Sequence, residues 1–474
     1  MSFVLLCYSR NTPYSYDAHT PVSIFALGTY LERNGVEVEY FDERLDGQDR
    51  FDELAARRPL LAGFSVIGGY QIASARRLSR RLRELSGGTR IVWGGICPTT
   101  LTDTVLKEDY VDYAVRGEGE ATLLELFRRL SAGQDCAGLA GLGGGAERLP
   151  LDIDSLPFVY QGKAALELKR HLKRRSIREA VGYEASRGCP FRCEFCYSPN
   201  FHGAARVKST AKVAAELAAL KELGVDELDI YDDTLFGGRS DKFADYLKLL
   251  KGGGFSWIGN FRINMLDREL LARLEDSGCK WVYFGIESDD DETLASIRKG
   301  ITAREIDEGI GLMSRSTLPT VYSIIHGLPL EGEKDKARQC LDFAEKIHAR
   351  HPGAEIQVQS YVPLPGTALY GAAVRLGFCP PADMDGWVRH DHFGVSSPWQ
   401  ENTGLAAKLY LSTFLAFRYR RHLSHFPVCL AAYPLHLLSR WRIRTRFFGL
   451  YFERALYRLG LAAAEALTSL YYRR

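Results

Sequence analysis

Long apolar runs are the first thing this sequence lacks. No stretch reaches the roughly 20 residues that a membrane-spanning helix needs. The longest candidate, Phe426 to Leu438, is broken by Pro434 and His436. No secretory leader is visible, because the chain opens directly into the strand-like run Phe3-Val-Leu-Leu-Cys7. An excess of one charge is missing as well: the formal net charge is +2, which by itself indicates no class of partner. A disulfide framework is also absent. Seven of the ten cysteines (Cys7, Cys97, Cys136, Cys279, Cys340, Cys379, Cys429) are scattered without pattern, so a reducing cytoplasm is the expected location. At 474 residues the chain exceeds one ordinary core, and two or three domains are expected.

The other three cysteines stand together, in Glu184-Ala-Ser-Arg-Gly-Cys189-Pro-Phe-Arg-Cys193-Glu-Phe-Cys196-Tyr197. The spacing C-x3-C-x2-C wraps three thiolates around one centre and offers no fourth equivalent ligand. Cysteine thiolates are the usual ligands of iron–sulfur clusters, where sets of four are the rule. Zinc would need a further Cys or His, which His202 could supply. The run closely resembles the cluster loop of the radical S-adenosylmethionine (SAM) superfamily, including the aromatic Phe195. That resemblance implies that Cys189, Cys193 and Cys196 hold a [4Fe-4S] cluster. SAM then chelates the remaining iron, flanked by Phe195 and Tyr197.

Strand and helix patterns alternate over the first 150 residues, which predicts a doubly wound, Rossmann-like parallel sheet. The strands are expected at Phe3–Cys7, Val36–Phe41, Leu60–Val66, Arg90–Trp93 and Tyr110–Val115, with helices at Pro21–Asn34, Arg50–Arg57, Ile72–Leu85 and Ala121–Leu130. Ligands of such sheets lie beyond the carboxyl ends of the strands. Glycine turns fall at three of those ends: Ile67-Gly-Gly-Tyr70, Gly94-Gly95 and Gly117-Glu118-Gly119. Any α/β protein uses such turns structurally, but they also let backbone approach a large ligand. The order Gly-Gly-x-x-Pro-Thr, then Val-Asp-Tyr-x-Val-Arg-Gly-Glu-Gly-Glu, resembles the cobalamin-binding domain that precedes many radical SAM domains. By that resemblance the cobalamin contacts are Ser65, Ile67, Gly68, Tyr70, Gly94, Gly95, Cys97, Pro98, Gly117, Glu118 and Gly119. No Asp-x-His-x-x-Gly motif occurs, and Cys97 stands where many relatives carry His, so the implied cobalamin is base-off with no protein histidine below cobalt.

Domain boundaries are expected at 1–150 (cobalamin-binding), 151–178 (linker), 179–378 (radical SAM) and 379–474 (helical specificity region). The third of these reads as a partial (β/α)6 barrel, whose functional groups sit on loops after the strands. Asp232 and Asp233 end a predicted strand and could either cap the next helix or face a cation. The resemblance makes them acceptors for the SAM ammonium. It likewise implies SAM contacts for Arg262, whose planar fork suits a carboxylate, and for Glu287, Ser288 and Gln359.

Helical stretches are expected from Leu405 onward. Arg418, Arg420, Arg421, Arg440, Arg442, Arg444, Arg446, Arg454 and Arg458 are interleaved there with aromatic and aliphatic residues. This suits a membrane-surface helix, a lipophilic substrate, or a solvated basic face over a packed one. No recognised nucleic-acid module is present.

The resemblance as a whole implies reductive cleavage of SAM to a 5′-deoxyadenosyl radical, hydrogen abstraction from an unactivated carbon, and methyl donation from methylcobalamin. The expected function is therefore C-methylation of a natural-product, lipid or tetrapyrrole-type small molecule, with flavodoxin or ferredoxin as reductant. Two alternatives stand beside it: a cyclase or rearrangement enzyme with the same cofactors, and a zinc- or corrinoid-holding protein without catalysis.

Overall fold

The computed structural model describes residues 2–11, 19–173, 180–238, 241–330, 337–390, 398–399, 405–417, 426–453, 455–456 and 459. Arg418, Arg420, Arg421, Arg454 and Arg458 lie outside the described residues. The chain divides into two compact units. One comprises Met1–Pro190, Tyr197–Phe255 and Pro381–His390; the other comprises Phe191–Cys196, Ser256–Pro380 and Asp391–Arg474.

The first unit is built on a five-stranded parallel sheet of β1 (Phe3–Tyr8), β2 (Glu37–Asp42), β3 (Leu61–Ser65), β4 (Arg90–Gly94) and β5 (Tyr113–Ala114). Its order is β2-β1-β3-β4-β5, the doubly wound arrangement that the alternating pattern predicts. All six residues of β1 are buried, as a central parallel strand covered on both faces requires. The last strand is shorter than expected. Asp112 explains this: its carboxylate, not a main-chain carbonyl, accepts the Ile91 N–H at 2.7 Å.

The segment expected as a linker contains a helix, Gly162–Lys173, that buries Ala164, Leu168 and His171 on one face. Lys163 Nζ donates to the Val38 carbonyl at 2.8 Å, which pins the helix to β2. Beyond it come β6 (Val181–Tyr183), the two-residue β7 (Ser186–Arg187) and β8 (Arg206–Val207), and β9 (Glu227–Ile230). β6 and β9 pair in parallel, and β7 and β8 antiparallel. The compact unit thus runs past the expected boundary near 150–178. Gly182 N–H donates to Thr20 Oγ1 at 2.7 Å, and Tyr160 Oη donates to the Gly182 carbonyl, so β6 is tied back to the start of the chain.

The second unit carries β10 (Ser256–Phe261), β11 (Cys279–Glu287), β12 (Thr320–His326) and β13 (Glu355–Ser360), parallel and in the order β13-β12-β11-β10. Each returns through a helix, and Asp267, Asp290 and Thr302 cap three of those helices through side-chain acceptors. Helices Leu405–Phe417 and Phe426–Thr445 follow. No described helix is long and apolar enough to cross a membrane.

Candidate cofactor site: a glycine-lined cavity and a cysteine loop

In the first unit, Gly188 turns the chain into Cys189. Its φ is +83°, and a Cβ there would stand 2.9 Å from the Ala204 carbonyl oxygen, so only glycine fits. The end of β9 supplies the scaffold for this turn. Asp232, fully buried, accepts from Ala185 N–H at 2.8 Å, Ser186 N–H at 3.0 Å, Ser186 Oγ at 2.7 Å and Phe236 N–H at 2.8 Å. Burial pushes its pKa up to about 7, against these hydrogen bonds, which pull it down. Asp233 accepts the Gly188 N–H at 3.1 Å, and Thr234 Oγ1 lies 3.1 Å from Cys189 Sγ. Asp232 is thus committed to capping and loop support, and Asp233 has one oxygen on the cysteine turn.

Arg187 stands two residues before Cys189 and is buried. Its Nε donates to Glu184 at 2.8 Å, and its Nη1 donates to Glu118 at 3.0 Å and Glu120 at 2.8 Å. Glu118 also receives Arg206 and stands 3.0 Å from His202 Nδ1. Burial opposes its ionisation, but His202, Arg187 and Arg206 outweigh that cost and hold its pKa down to about 2. His202, the residue that could have completed a zinc set, is therefore turned to Glu118.

These groups border a cavity of about 310 Å³, contained within the first unit. Ser65, Ile67, Gly94, Gly95, Gly117, Glu118 and Gly119 line it, with Val22 and Leu27 from helix Val22–Arg33 and Tyr197, Phe201, His202 and Tyr231 opposite. Gly95 has φ +101°, and a Cβ on it would meet the Val66 carbonyl at 2.8 Å. The lining thus combines bare glycine backbone, which a large ligand can approach closely, with apolar and a few charged side chains. Four of the expected contacts do not line it. Cys97 and Pro98 are buried, and burial pushes the Cys97 thiol up to about 12, so it stays protonated. Gly68 is outside the lining and Tyr70 is exposed. Tyr197, expected beside SAM, lines this cavity.

In the second unit, Cys196 N–H donates to the Cys193 carbonyl at 3.1 Å. Arg262, buried, places Nη1 3.6 Å from Cys193 Sγ and its guanidinium carbon 3.8 Å from the Phe191 ring centre. Its Nη2 donates to the Lys299 carbonyl. Phe195 packs against the core of Ile297, Leu328, Tyr361 and Leu369, anchoring the loop between the two cysteines. Glu287 is buried at φ +64° and paired with Lys299 Nζ at 2.8 Å. Ser288 Oγ accepts the Asp290 N–H at 3.1 Å, and Gln359 Nε2 donates to Tyr283 Oη and Gln357 Oε1, each at 3.2 Å.

All three cysteines stand outside any disulfide and are only half-buried, whereas Cys7, Cys97, Cys136 and Cys279 are buried. Among the described residues no three His, Cys, Asp or Glu side chains gather around a single metal ion. A cubane does not ask for that, since each thiolate takes a different iron.

Comparison with known proteins agrees with this division of labour. Residues 14–127 match the B12 binding domain, and residues 183–339 match the radical SAM superfamily. The chain thus joins a B12-binding domain to a radical SAM domain, a pairing whose cofactors are a [4Fe-4S] cluster, SAM and cobalamin. Among individual relatives, it is 28% identical over 318 residues to an uncharacterized methyltransferase of Pyrococcus horikoshii, covering 64% of this chain and 67% of that one. It is 27% identical over 319 residues to the anaerobic magnesium-protoporphyrin IX monomethyl ester cyclase of Synechocystis sp., covering 63% of this chain and 62% of that one. The structure of the cobalamin-dependent SAM radical enzyme OxsB with aqua-cobalamin and SAM bound shares the fold, with TM-score 0.73 and 16% identity, over 95% of this chain and 73% of that one.

Proposed function

We propose that this chain is a cobalamin-dependent radical SAM C-methyltransferase acting on an unactivated carbon of a natural-product, lipid or tetrapyrrole-type small molecule. The observation that carries this reading is Arg187. One guanidinium joins the strand leading into Cys189 to the Gly117-Glu118-Gly119 turn that lines the cavity, so the approach to the cluster loop and the cavity wall form one piece. An enzyme that must bring two cofactors to one carbon needs that registration.

Cys189, Cys193 and Cys196 would hold the cluster. Ser65, Ile67, Gly94, Gly95, Gly117, Glu118 and Gly119 would hold cobalamin, and Asp233, Ser288 and Gln359 keep polar atoms for SAM. When bound, the cluster and SAM supply a 5′-deoxyadenosyl radical for hydrogen abstraction, and methylcobalamin supplies the methyl group. The protein's own part is electrostatic and steric. Arg262 turns a guanidinium N–H toward Cys193 Sγ, Thr234 and Asp233 fix the turn at Cys189, and Val22, Leu27 and Ile67 keep water from the cavity. A flavodoxin or ferredoxin in a reducing cytoplasm would provide electrons.

The test is an anaerobically reconstituted chain given cobalamin, reductant, methyl-labelled SAM and candidate substrates. Label in the product together with 5′-deoxyadenosine supports methylation. Consumption of substrate with 5′-deoxyadenosine but no label in the product favours ring formation or rearrangement, the reading to which the cyclase relative points. Failure to form 5′-deoxyadenosine overturns both.

A further inference from the structure

From Asn402 to Phe452 the chain carries eight Lys and Arg residues and no Asp or Glu. The next carboxylate, Glu453, is completely buried and spent on Arg442. Along helix Phe426–Thr445, Tyr433, Leu437 and Trp441 recur every fourth residue and are all exposed, so they share one face. Arg444, also exposed, continues that face one turn further.

The turn after this helix extends the apolar surface. Phe447 and Phe452 are about half exposed, and Leu450 is 87% exposed. Phe447 packs edge-to-face on Trp441, with ring centres 5.8 Å apart. The turn is held in shape by a buried guanidinium. Arg442 donates to the carbonyls of Phe447 at 3.0 Å, Gly449 at 2.8 Å and Leu450 at 3.1 Å while paired with Glu453. Leu450 also sits in the left-handed region at φ +48°. Holding a leucine there, pointed into solvent, costs free energy twice, through strain and through exposure.

We propose that this surface docks on an anionic lipid bilayer. Trp441 and Tyr433 suit the headgroup boundary, Leu437, Phe447, Leu450 and Phe452 suit the acyl region beneath it, and Arg444 suits the acidic headgroups. Arg444, the exposed cation described on this face, decides against a second copy of the chain as occupant, because a symmetric contact would bring like charges together.

The experiment is flotation of the reconstituted full-length chain with phosphatidylcholine vesicles, with and without phosphatidylglycerol, at low and high salt. The expected result is binding about tenfold tighter to the anionic vesicles, weakening with salt. The paired substitutions Leu437→Gln with Trp441→Gln, and separately Leu450→Gln with Phe452→Gln, should each lower binding about tenfold. Circular dichroism and iron content should stay unchanged, since these side chains are exposed. Equal association with both vesicle types, no association at low salt, or full binding by both paired variants overturns the proposal. Concentration-dependent dimers that the paired variants dissociate would overturn it in favour of self-association.

Discussion

Two buried guanidiniums do opposite work in this molecule. Arg187 gathers three carboxylates, Glu118, Glu120 and Glu184, and closes the first unit around a cavity. Arg442 gathers one carboxylate and three carbonyls, and holds an apolar turn out into solvent. Arg187 stands where the net local charge is negative and its partners lie 67 and 69 residues away along the chain, or three. Arg442 stands in a carboxylate-free stretch and its partners lie 5 to 11 residues away. The contrast teaches that a buried charge can fix a long-range registration or a local shape, depending on where its partners come from.

Replacing Arg187 should do the greater damage. Arg187→Met leaves the buried Glu120 and the half-buried Glu184 without their counter-charge, Glu118 keeping Arg206 and His202, and a loss of about 3 kcal/mol or more in unfolding free energy is expected from chemical denaturation. Iron and cobalamin content should fall together, because the cysteine approach and the cavity wall lose their common anchor. Arg442→Met should cost no more, about 3 kcal/mol, and leave both cofactor contents intact. Equal loss of cofactor in the two variants would erase the distinction.

Gly95→Ala sharpens it from the cavity side. A Cβ against the Val66 carbonyl at positive φ should cost about 1–3 kcal/mol and weaken cobalamin retention without reducing iron. The smallest effect is a pH dependence. Glu118 titrates at about 2 in the folded chain against an ordinary value of 4.5, so its contribution to stability is full above 4.5 and lost as pH falls toward 2. Denaturation across that window should show a shallower acid limb for Glu118→Gln than for the parent chain.

Much of the cavity was legible in the sequence, because strand-end glycines follow from period-two and period-3.6 patterns alone. All three glycine turns reach the lining, and Gly95 does so in a conformation that excludes other residues. The network behind it was not legible. Arg187 reads as filler inside a cysteine motif, and no local signal ties it to glutamates some seventy positions upstream. Asp232 illustrates the same limit: an acid at a strand end reads equally as cap or ligand, and only folding reveals four donors waiting for it. Cys97 lies in the core on the short helix Ile96–Thr100, whose buried residues are Cys97 and Pro98. The C-terminal stretch read as arginines interleaved with aromatic and aliphatic residues, with nothing to say which of them face solvent. The structure sorts it: Arg442 is buried, Arg446 pairs with Asp342 and Glu345, and Arg440 lies over the Phe417 ring.

The most direct measurement compares the reconstituted parent chain with Cys193→Ser under strict anaerobiosis, following bound iron, its electron paramagnetic resonance signal and 5′-deoxyadenosine formation from SAM. The parent should bind a reducible cubane and form 5′-deoxyadenosine, and Cys193→Ser should keep its fold while losing both. A parent chain that binds no iron, or a Cys193→Ser variant that cleaves SAM as well as the parent, would contradict the account.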